Sequence, residues 1–311
     1  MKIPLIVVAG PTASGKTAMA IHLAEKFGGE IVSADSMQIY KKLNIGTAKP
    51  TKEELKKAPH HMIDILDINE SFSVVDYCEK AHSVISDIHE RGHLPIVAGG
   101  TGLYIDSLVN DEDFSNAGED KELRESLTSI AEKEGNEAVY EILKELDPVA
   151  ANNLHPNNLK RVIRAIEIIK TTGKSLEESI KREKAESRYD VLYLVLFHDR
   201  GILYDRIEKR VDIMMEEGLL DEAKWLFENI DNKDATCLQA IGYKEFKGYF
   251  DGKINVSEAV EELKKDTRHY AKRQMTWFRR NKDARIINCG DNPFNQAEDL
   301  VAKFLSERTN V

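Results

Sequence analysis

The sequence predicts an α/β protein whose core is a parallel sheet with helices on both faces, interrupted by an added helical module. Short continuous apolar runs alternate with segments of helical spacing through the first third of the chain. That is the rhythm of strands buried on both faces. A glycine-rich stretch links the first apolar run to the first helical segment. From about Asp111 to Arg188 the chain turns charged and helical, and a strong apolar run then resumes the sheet.

Ile3 to Ala9 reads as a short buried strand. Lys16 to Phe27 places Met19, Ala20, Leu23, Ala24 and Phe27 at helical spacing and stops at Gly28-Gly29, a helix-ending signal. Glu30 to Ala34 is a second strand that ends at Asp35-Ser36. Phe72 to Arg91 is helical and stops at Gly92, and Leu94 to Ala98 is a strand running into Gly99-Gly100-Thr101-Gly102. Asp111 to Asp120, acidic and glycine-containing, reads as a linker into the helical module, which has proline breaks at Pro148 and Pro156. Tyr189 to Phe197 is the next strand, Gly201 to about Asn281 is helical, Ala284 to Cys289 a last strand and Asn295 to Glu307 a closing helix. The expected organisation is a core from 1–111 and 186–311 with a helical insertion at 112–185.

A chain of 311 residues can bury a substantial core, and 41% hydrophobic with 32% charged residues is ordinary for a soluble protein. No stretch approaches the roughly 18 apolar residues of a membrane span. The first apolar run is too short for a signal peptide and ends in the glycine-rich loop, so a cytoplasmic location is expected. Cys78, Cys237 and Cys289 lie far apart and imply neither a disulfide framework nor a zinc site. A net charge of −10 excludes a uniformly basic nucleic-acid binder, while leaving room for local contacts. Basic residues gather at Lys160, Arg161 and Arg164, and again at Arg268, Lys272, Arg273, Arg279, Arg280 and Lys282. On composition alone both clusters read as solvated helix faces.

Gly10-Pro11-Thr12-Ala13-Ser14-Gly15-Lys16-Thr17 fills every fixed position of the phosphate-binding loop (P-loop) pattern, between a strand and a helix as the mechanism requires. Its glycines let backbone amides turn towards phosphate oxygens, and the helix N-terminus adds partial positive charge. Lys16 supplies a full charge, and the Thr17 hydroxyl can ligate Mg²⁺. The loop implies a bound diphosphate or triphosphate without saying which group is transferred. A kinase or nucleotide hydrolase also needs a strand ending in Asp nearby, yet Leu94 to Ala98 ends in Gly99-Gly100-Thr101. Asp35 and Asp199, each following a strand, are the candidates at the crevice where α/β proteins bind ligands.

Further segments complete an ordered set: Asp35-Ser36-Met37-Gln38-Ile39-Tyr40, Gly46-Thr47-Ala48-Lys49-Pro50, Pro59-His60-His61-Met62-Ile63-Asp64 and Gly99-Gly100-Thr101-Gly102-Leu103-Tyr104. Asp147-Pro148-Val149, His155-Pro156-Asn157, Arg161-x2-Arg164-Ala165-Ile166-Glu167, Gln239-Ala240-Ile241-Gly242-Tyr243 and Tyr270-Ala271-Lys272-Arg273-Gln274-x-Thr276-Trp277-Phe278 extend it. Together they resemble the bacterial tRNA dimethylallyltransferase family over essentially the whole chain. The resemblance implies a P-loop nucleotide-kinase-like core with an inserted helical domain. It implies transfer of a dimethylallyl group from dimethylallyl diphosphate to N6 of the adenine 3′ of the anticodon, in tRNAs reading codons that begin with U. It further implies Mg²⁺ as cofactor, the tRNA anticodon stem-loop and dimethylallyl diphosphate as partners, and no membrane; a monomer is the default expectation. Eukaryotic relatives often append a zinc finger; without Cys/His pairs of that kind, this chain is expected to resemble the shorter bacterial form.

On this reading the weakly nucleophilic N6 needs a carboxylate to take its proton, and Asp35 is the candidate base. The departing diphosphate is held by the loop amides, Lys16 and a magnesium on Thr17. Arg210 resembles the family's diphosphate-contacting arginine. Thr101 resembles a position touching RNA or diphosphate. Ser36, Met37 and Gln38 look like RNA-contacting positions, with Gln38 able to read an adenine edge. Arg124, Lys160, Arg161 and Arg164 resemble positions gripping the anticodon arm, although Lys160 stands where some relatives carry Gln. The adenine must leave its stack to reach Asp35, and a channel between core and insertion is expected to admit it. His60 and His61 are expected to be structural, with Asp64, and Trp277 to pack in the core. The competing readings are a P-loop small-molecule or nucleotide kinase and a nucleotide-dependent RNA-binding protein.

Overall fold

A computed structural model describes residues 2–110, 120–180, 187–232 and 235–309. They form two compact units, Met1–Val109 with Ser187–Val311, and Asn110–Glu186.

The first unit carries a six-stranded parallel sheet in the order β3-β2-β4-β1-β5-β6. Its strands are β1 (Ile3–Ala9), β2 (Gly29–Ala34), β3 (His60–His61), β4 (Leu94–Gly99), β5 (Tyr189–Phe197) and β6 (Arg285–Asn288). The central β1 pairs with β4 on one side and β5 on the other, and Leu5 to Ala9 are fully buried. Continuous apolar sequence is what a strand covered on both faces requires. One cover is the helix Lys16–Phe27, whose Met19, Ala20 and Leu23 pack with Ile6, Val8, Ile96 and Leu194, together with Ala297 and Val301 of the closing helix Pro293–Thr309. A second apolar cluster joins Ile39, Tyr40 and Leu43 to Val211, Tyr243, Phe246 and Leu263, fixing the segment after β2 on the later helices.

Ala9 of β1 and Ala34 of β2 are both in register with Gly99 of β4. The C-terminal ends of these strands therefore finish level, and the segments leaving them are brought to one edge of the sheet, where such folds place ligands.

Several boundaries differ from expectation by a residue or two. The helix expected over Phe72 to Arg91 is Val74–Glu90, started by a capping box between Ser73 and Asp76. The long helical stretch after β5 is divided into Arg200–Glu216, Leu219–Asn229, Lys247–Phe250 and Val256–Phe278. The helices Lys52–Lys57 and Gly102–Val109 and the two-residue strand β3 were not anticipated.

The second unit contains the helices Lys121–Glu134, Asn136–Leu146, Pro148–Asn152, Leu159–Thr172 and Leu176–Ile180 around a core of Leu127, Val139, Leu143, Val162 and Ile166. Pro148 starts a helix at its first position, where a missing N–H costs nothing. Asp147 accepts from the amides of Ala150 and Leu176, both at 2.9 Å, and so anchors two helix starts. The expected linker, apart from Asp120, and residues 181–186 lie outside the described residues.

Candidate active site

The phosphate loop leaves β1 at Gly10 and turns into the helix Lys16–Phe27, with Ala13 at φ 62° and Gly15 at φ 93°. Its carbonyls are tied down by cations: Lys16 Nζ donates to Pro11 O at 2.8 Å and Arg206 Nε to Ala13 O at 2.7 Å. His198 Nε2 lies 3.0 Å from Ser14 O. The amides of Lys16 to Ala18 open the helix and have no intrahelical acceptor. Thr12, Ala13, Gly15, Lys16 and Thr17 line a cavity of about 960 Å³, while Gly10, Pro11 and Ser14 are buried behind them.

Asp35, following the last residue of β2, lines the same cavity. Its Oδ1 accepts from the Met37 amide at 2.9 Å and the Gln38 amide at 3.4 Å, so one oxygen anchors the turn. Its other oxygen has no hydrogen-bond partner among the described residues. Arg206, Lys209 and Arg210 reach the cavity from the helix Arg200–Glu216. Burial, reinforced by the Arg210 charge and opposed by Asp35, lowers the Lys16 ammonium to about pKa 8. Burial likewise lowers Arg210, and Asp35 and Glu54 counter it. A concave site with more cationic than anionic side chains, open helix amides and the Asp35 carboxylate can hold a polyphosphate and accept a proton beside it.

Another part of the wall is the segment Asn44–Pro50. Glu222 accepts from the amides of Asn44, Ile45 and Gly46 at 2.7, 2.9 and 2.9 Å and from the Tyr243 hydroxyl at 2.7 Å. Gly46 sits so close to Tyr243 that a Cβ would lie 2.5 Å from Cζ. Lys49 Nζ, almost wholly buried, donates to Tyr40 O at 2.6 Å and Asp64 Oδ1 at 2.5 Å. These contacts join Gly46–Pro50 to Gln239–Tyr243, two of the sequence segments singled out above.

Other candidates fall differently. Gln38 Nε2 donates to Thr47 O and Ala48 O, both at 3.2 Å, and its Oε1 accepts from Ser33 Oγ at 3.1 Å. Its amide thus braces the wall, with Gln38 still in the cavity lining. Met37 packs half-buried against the second apolar cluster. Thr101 Oγ1 accepts from the Ser36 amide at 3.2 Å, joining the turn after β4 to the turn after β2. Asp199 occupies the N-cap position of Arg200–Glu216, exposed and outside the cavity lining.

His60 and His61 form β3, but their partners are not Asp64: His60 Nδ1 meets Ala58 O at 2.8 Å and His61 Nε2 meets Glu30 Oε2 at 2.7 Å. Arg91 grips Glu30 with two nitrogens and, with His61, holds its carboxyl down to about pKa 2 against the cost of burial. Trp277 is half-buried over Gly102 and donates Nε1–H to Asp106 at 2.6 Å. Beside it the basic cluster is not simply solvated. Arg273, Arg279 and Arg280 lie over the rings of Tyr270, Phe197 and Trp277, and Arg268 pairs with Glu208.

Within the second unit, Arg124 and Arg164 both pair with the fully buried Glu167, which also accepts from the Asp120 amide at 2.8 Å. Burial alone would raise the Glu167 carboxyl, but the two guanidinium groups and that amide together hold it below the ordinary glutamate value. Lys160 and Arg161 are exposed on the same helix as Arg164. Arg206, one turn before Arg210, and Glu222 were given no role from sequence, and Lys49, Tyr270 and Gln274 stood in the segments singled out above without one. For Arg206 the four-residue spacing to Arg210 was a usable signal; the others act through partners distant in sequence.

Comparisons with known proteins agree on one family. The family model described as IPP transferase matches residues 38–281. A tRNA dimethylallyltransferase of Bacillus subtilis is 49% identical over 278 residues, covering 89% of this chain and 88% of that one. A crystal structure of the full-length tRNA isopentenylpyrophosphate transferase of Bacillus halodurans superposes with a TM-score of 0.75 at 42% identity, over 99% of each chain. A eukaryotic dimethylallyltransferase solved acting on tRNA gives a TM-score of 0.85 at 33% identity, over 98% of this chain and 80% of its own. The shared fold, the match over most of the sequence and these identities lead to one conclusion: the chain belongs to the IPP transferase family.

Proposed function

We propose that this protein transfers a dimethylallyl group from dimethylallyl diphosphate to N6 of the adenine 3′ of the anticodon in tRNAs reading U-starting codons. The observation that carries the reading is the meeting of the phosphate loop, Asp35 and Arg210 in the lining of one cavity. The allylic C1–O bond breaks with its electron pair leaving on the diphosphate. The adenine N6 lone pair forms the new C1–N bond, and the N6 proton passes to the Asp35 carboxylate. Lys16, Arg206, Arg210 and the amides at the helix start stabilise the leaving charge.

Among the described residues no three His, Cys, Asp or Glu side chains gather to cage a metal. The Thr17 hydroxyl, in the cavity lining, would hold a divalent ion accompanying the diphosphate. Mg²⁺ held there would supply further neutralisation of the diphosphate. Lys160 and Arg161 are suited to the phosphates of the anticodon stem-loop. No described helix is long and apolar enough to cross a membrane. A tRNA substrate accords with the cytoplasmic location expected from the sequence.

The test is incubation with radiolabelled dimethylallyl diphosphate and unmodified tRNA, with labelled ATP in a parallel reaction. Prenyl label in tRNA is the expected result. Phosphoryl transfer from ATP would identify a kinase, and no transfer of either kind would leave a binding protein; either outcome overturns the reading.

A further inference from the structure

Gln274 lies on the helix Val256–Phe278, far in sequence from every loop of the site, and is 6% exposed. Its Oε1 accepts from the Thr12 amide of the phosphate loop at 2.8 Å. Its Nε2 donates to the Gly100 carbonyl, in the turn after β4, at 2.9 Å. Gly100 leaves the room this requires, since a Cβ there would collide with Nε2. The next residue, Thr101, grips both flanks of Asp35: its amide donates to Ala34 O at 3.2 Å and its hydroxyl accepts from the Ser36 amide at 3.2 Å. A continuous line of bonds thus runs from the diphosphate loop through Gln274, Gly100 and Thr101 to the residues on either side of Asp35. Tyr270, one helical turn before Gln274, lies close to Thr101 and Gln274 and lines the cavity together with Gln274.

We propose that Gln274 is a positioning residue that couples the diphosphate loop to the Asp35 turn, fixing the proton acceptor relative to the departing group. The inference rests on the transfer chemistry proposed above. A carboxamide suits the place because it offers a donor and an acceptor at once. Glutamate in the same shape keeps the bond from Thr12 but turns a second acceptor on Gly100 O. Methionine of similar length makes neither bond. A misplacement of about 1 Å between reacting groups can cost roughly a hundredfold in rate.

The experiment compares wild type, Gln274→Glu and Gln274→Met in two assays. In the first, transfer of labelled dimethylallyl to tRNA is followed at saturating substrates. Gln274→Glu is expected to lower kcat by about 30- to 100-fold with KM for tRNA within about threefold, and Gln274→Met by at least as much. In the second, hydrogen exchange is measured with and without inorganic diphosphate, which needs no transfer activity. Diphosphate is expected to slow exchange at residues 10–17 and also at 34–37 in wild type, and only at 10–17 in Gln274→Glu. A normal kcat in Gln274→Glu, or equal protection of 34–37 in wild type and variant, overturns the coupling. A wild type that transfers nothing to tRNA sinks the chemical reading alone, and the exchange result then still decides whether Gln274 links the two loops. Should Gln274→Met fold poorly, Gln274→Glu decides by itself.

Discussion

Asp35 does two jobs with two oxygens, and the jobs can be separated. Oδ1 anchors the turn by accepting from Met37 and Gln38, so Asp35→Asn retains that acceptor and loses only the basic carboxylate. We expect its kcat for transfer to fall about 10²- to 10⁴-fold, with the melting temperature within a degree or two of wild type. Single-turnover kinetics and a thermal melt check both halves, and turnover within twofold of wild type would remove Asp35 from the chemistry. Lys16 allows a second expectation. In the free protein it loses its proton at about pH 8, and a bound diphosphate must raise that value, because an adjacent anion favours the ammonium. Binding therefore takes up a proton, and affinity weakens as pH rises through 8. The dissociation constant for dimethylallyl diphosphate should climb about tenfold per pH unit above 8 until the pKa of the bound state is reached. Titrations at pH 7 and 9.5 test this, and Lys16→Arg, which keeps its charge, should flatten the dependence. At this scale Lys16, Thr17 and Asp35 were legible because each sits where a strand ends in a loop of known chemistry. The role of Gln274, though it stands in one of the family segments, and of Glu222 was not, since a buried amide or carboxylate bonded to distant backbone leaves no local pattern.

Among elements, the segment Asn44–Pro50 shows how a wall without regular structure is held. Three consecutive amides converge on Glu222, Gln38 braces the carbonyls of Thr47 and Ala48, and Tyr243 packs on Gly46. Adding a methyl group at Gly46 forces the phenol or the backbone to move. Gly46→Ala is expected to lower stability by about 1–3 kcal/mol, the usual cost of overpacking. Gly201, in the helix Arg200–Glu216, has nothing within 4 Å of its would-be Cβ. Gly201→Ala should therefore shift stability the other way, by about 0.4–1 kcal/mol. Urea unfolding of the pair gives both signs in one comparison, and a stabilised Gly46→Ala would contradict the packing described. The strands β1, β2, β4 and β5 and the helix Lys16–Phe27 were readable because they are long enough for periodicity to show. Lys52–Lys57 and the two-residue β3 are too short for that, and β3 exists through tertiary partners: its backbone pairs with Ile31 and Val32, and His61 reaches Glu30. Pro148 misled for a related reason, as a proline inside a helical stretch marks a start as readily as a break.

The whole molecule carries a net charge of −10, so a tRNA approaching it is repelled at long range and held only where positive charge is concentrated. The chain's basic residues differ in what they can still offer. Arg124 and Arg164 share the Glu167 carboxylate, so the three groups together carry one net positive charge. Lys160 and Arg161, exposed on the same helix as Arg164, carry two. The family resemblance grouped Arg124 with these three basic residues as anticodon-arm positions, and it does not show that a fully buried Glu167 lies under two of them. Each phosphate contact releases condensed counterions, adding about 0.7 to 0.9 to the magnitude of the slope of log affinity against log salt. The double variant Lys160→Ala/Arg161→Ala should thus bind tRNA more weakly at every salt concentration, with a slope shallower by about 1.4 to 1.8. At saturating tRNA its kcat should stay within about twofold of wild type, as expected when uniform binding is lost and the reacting groups are untouched. Glu167→Gln should act on stability instead: it removes the carboxylate shared by two part-exposed guanidinium groups and one amide, at an expected cost of about 1–3 kcal/mol. Salt titrations of tRNA binding and denaturant unfolding of the two variants separate the roles: a slope unchanged in the double variant would remove Lys160 and Arg161 from the tRNA contact, and an unaltered stability in Glu167→Gln would remove Glu167 from the frame of its unit.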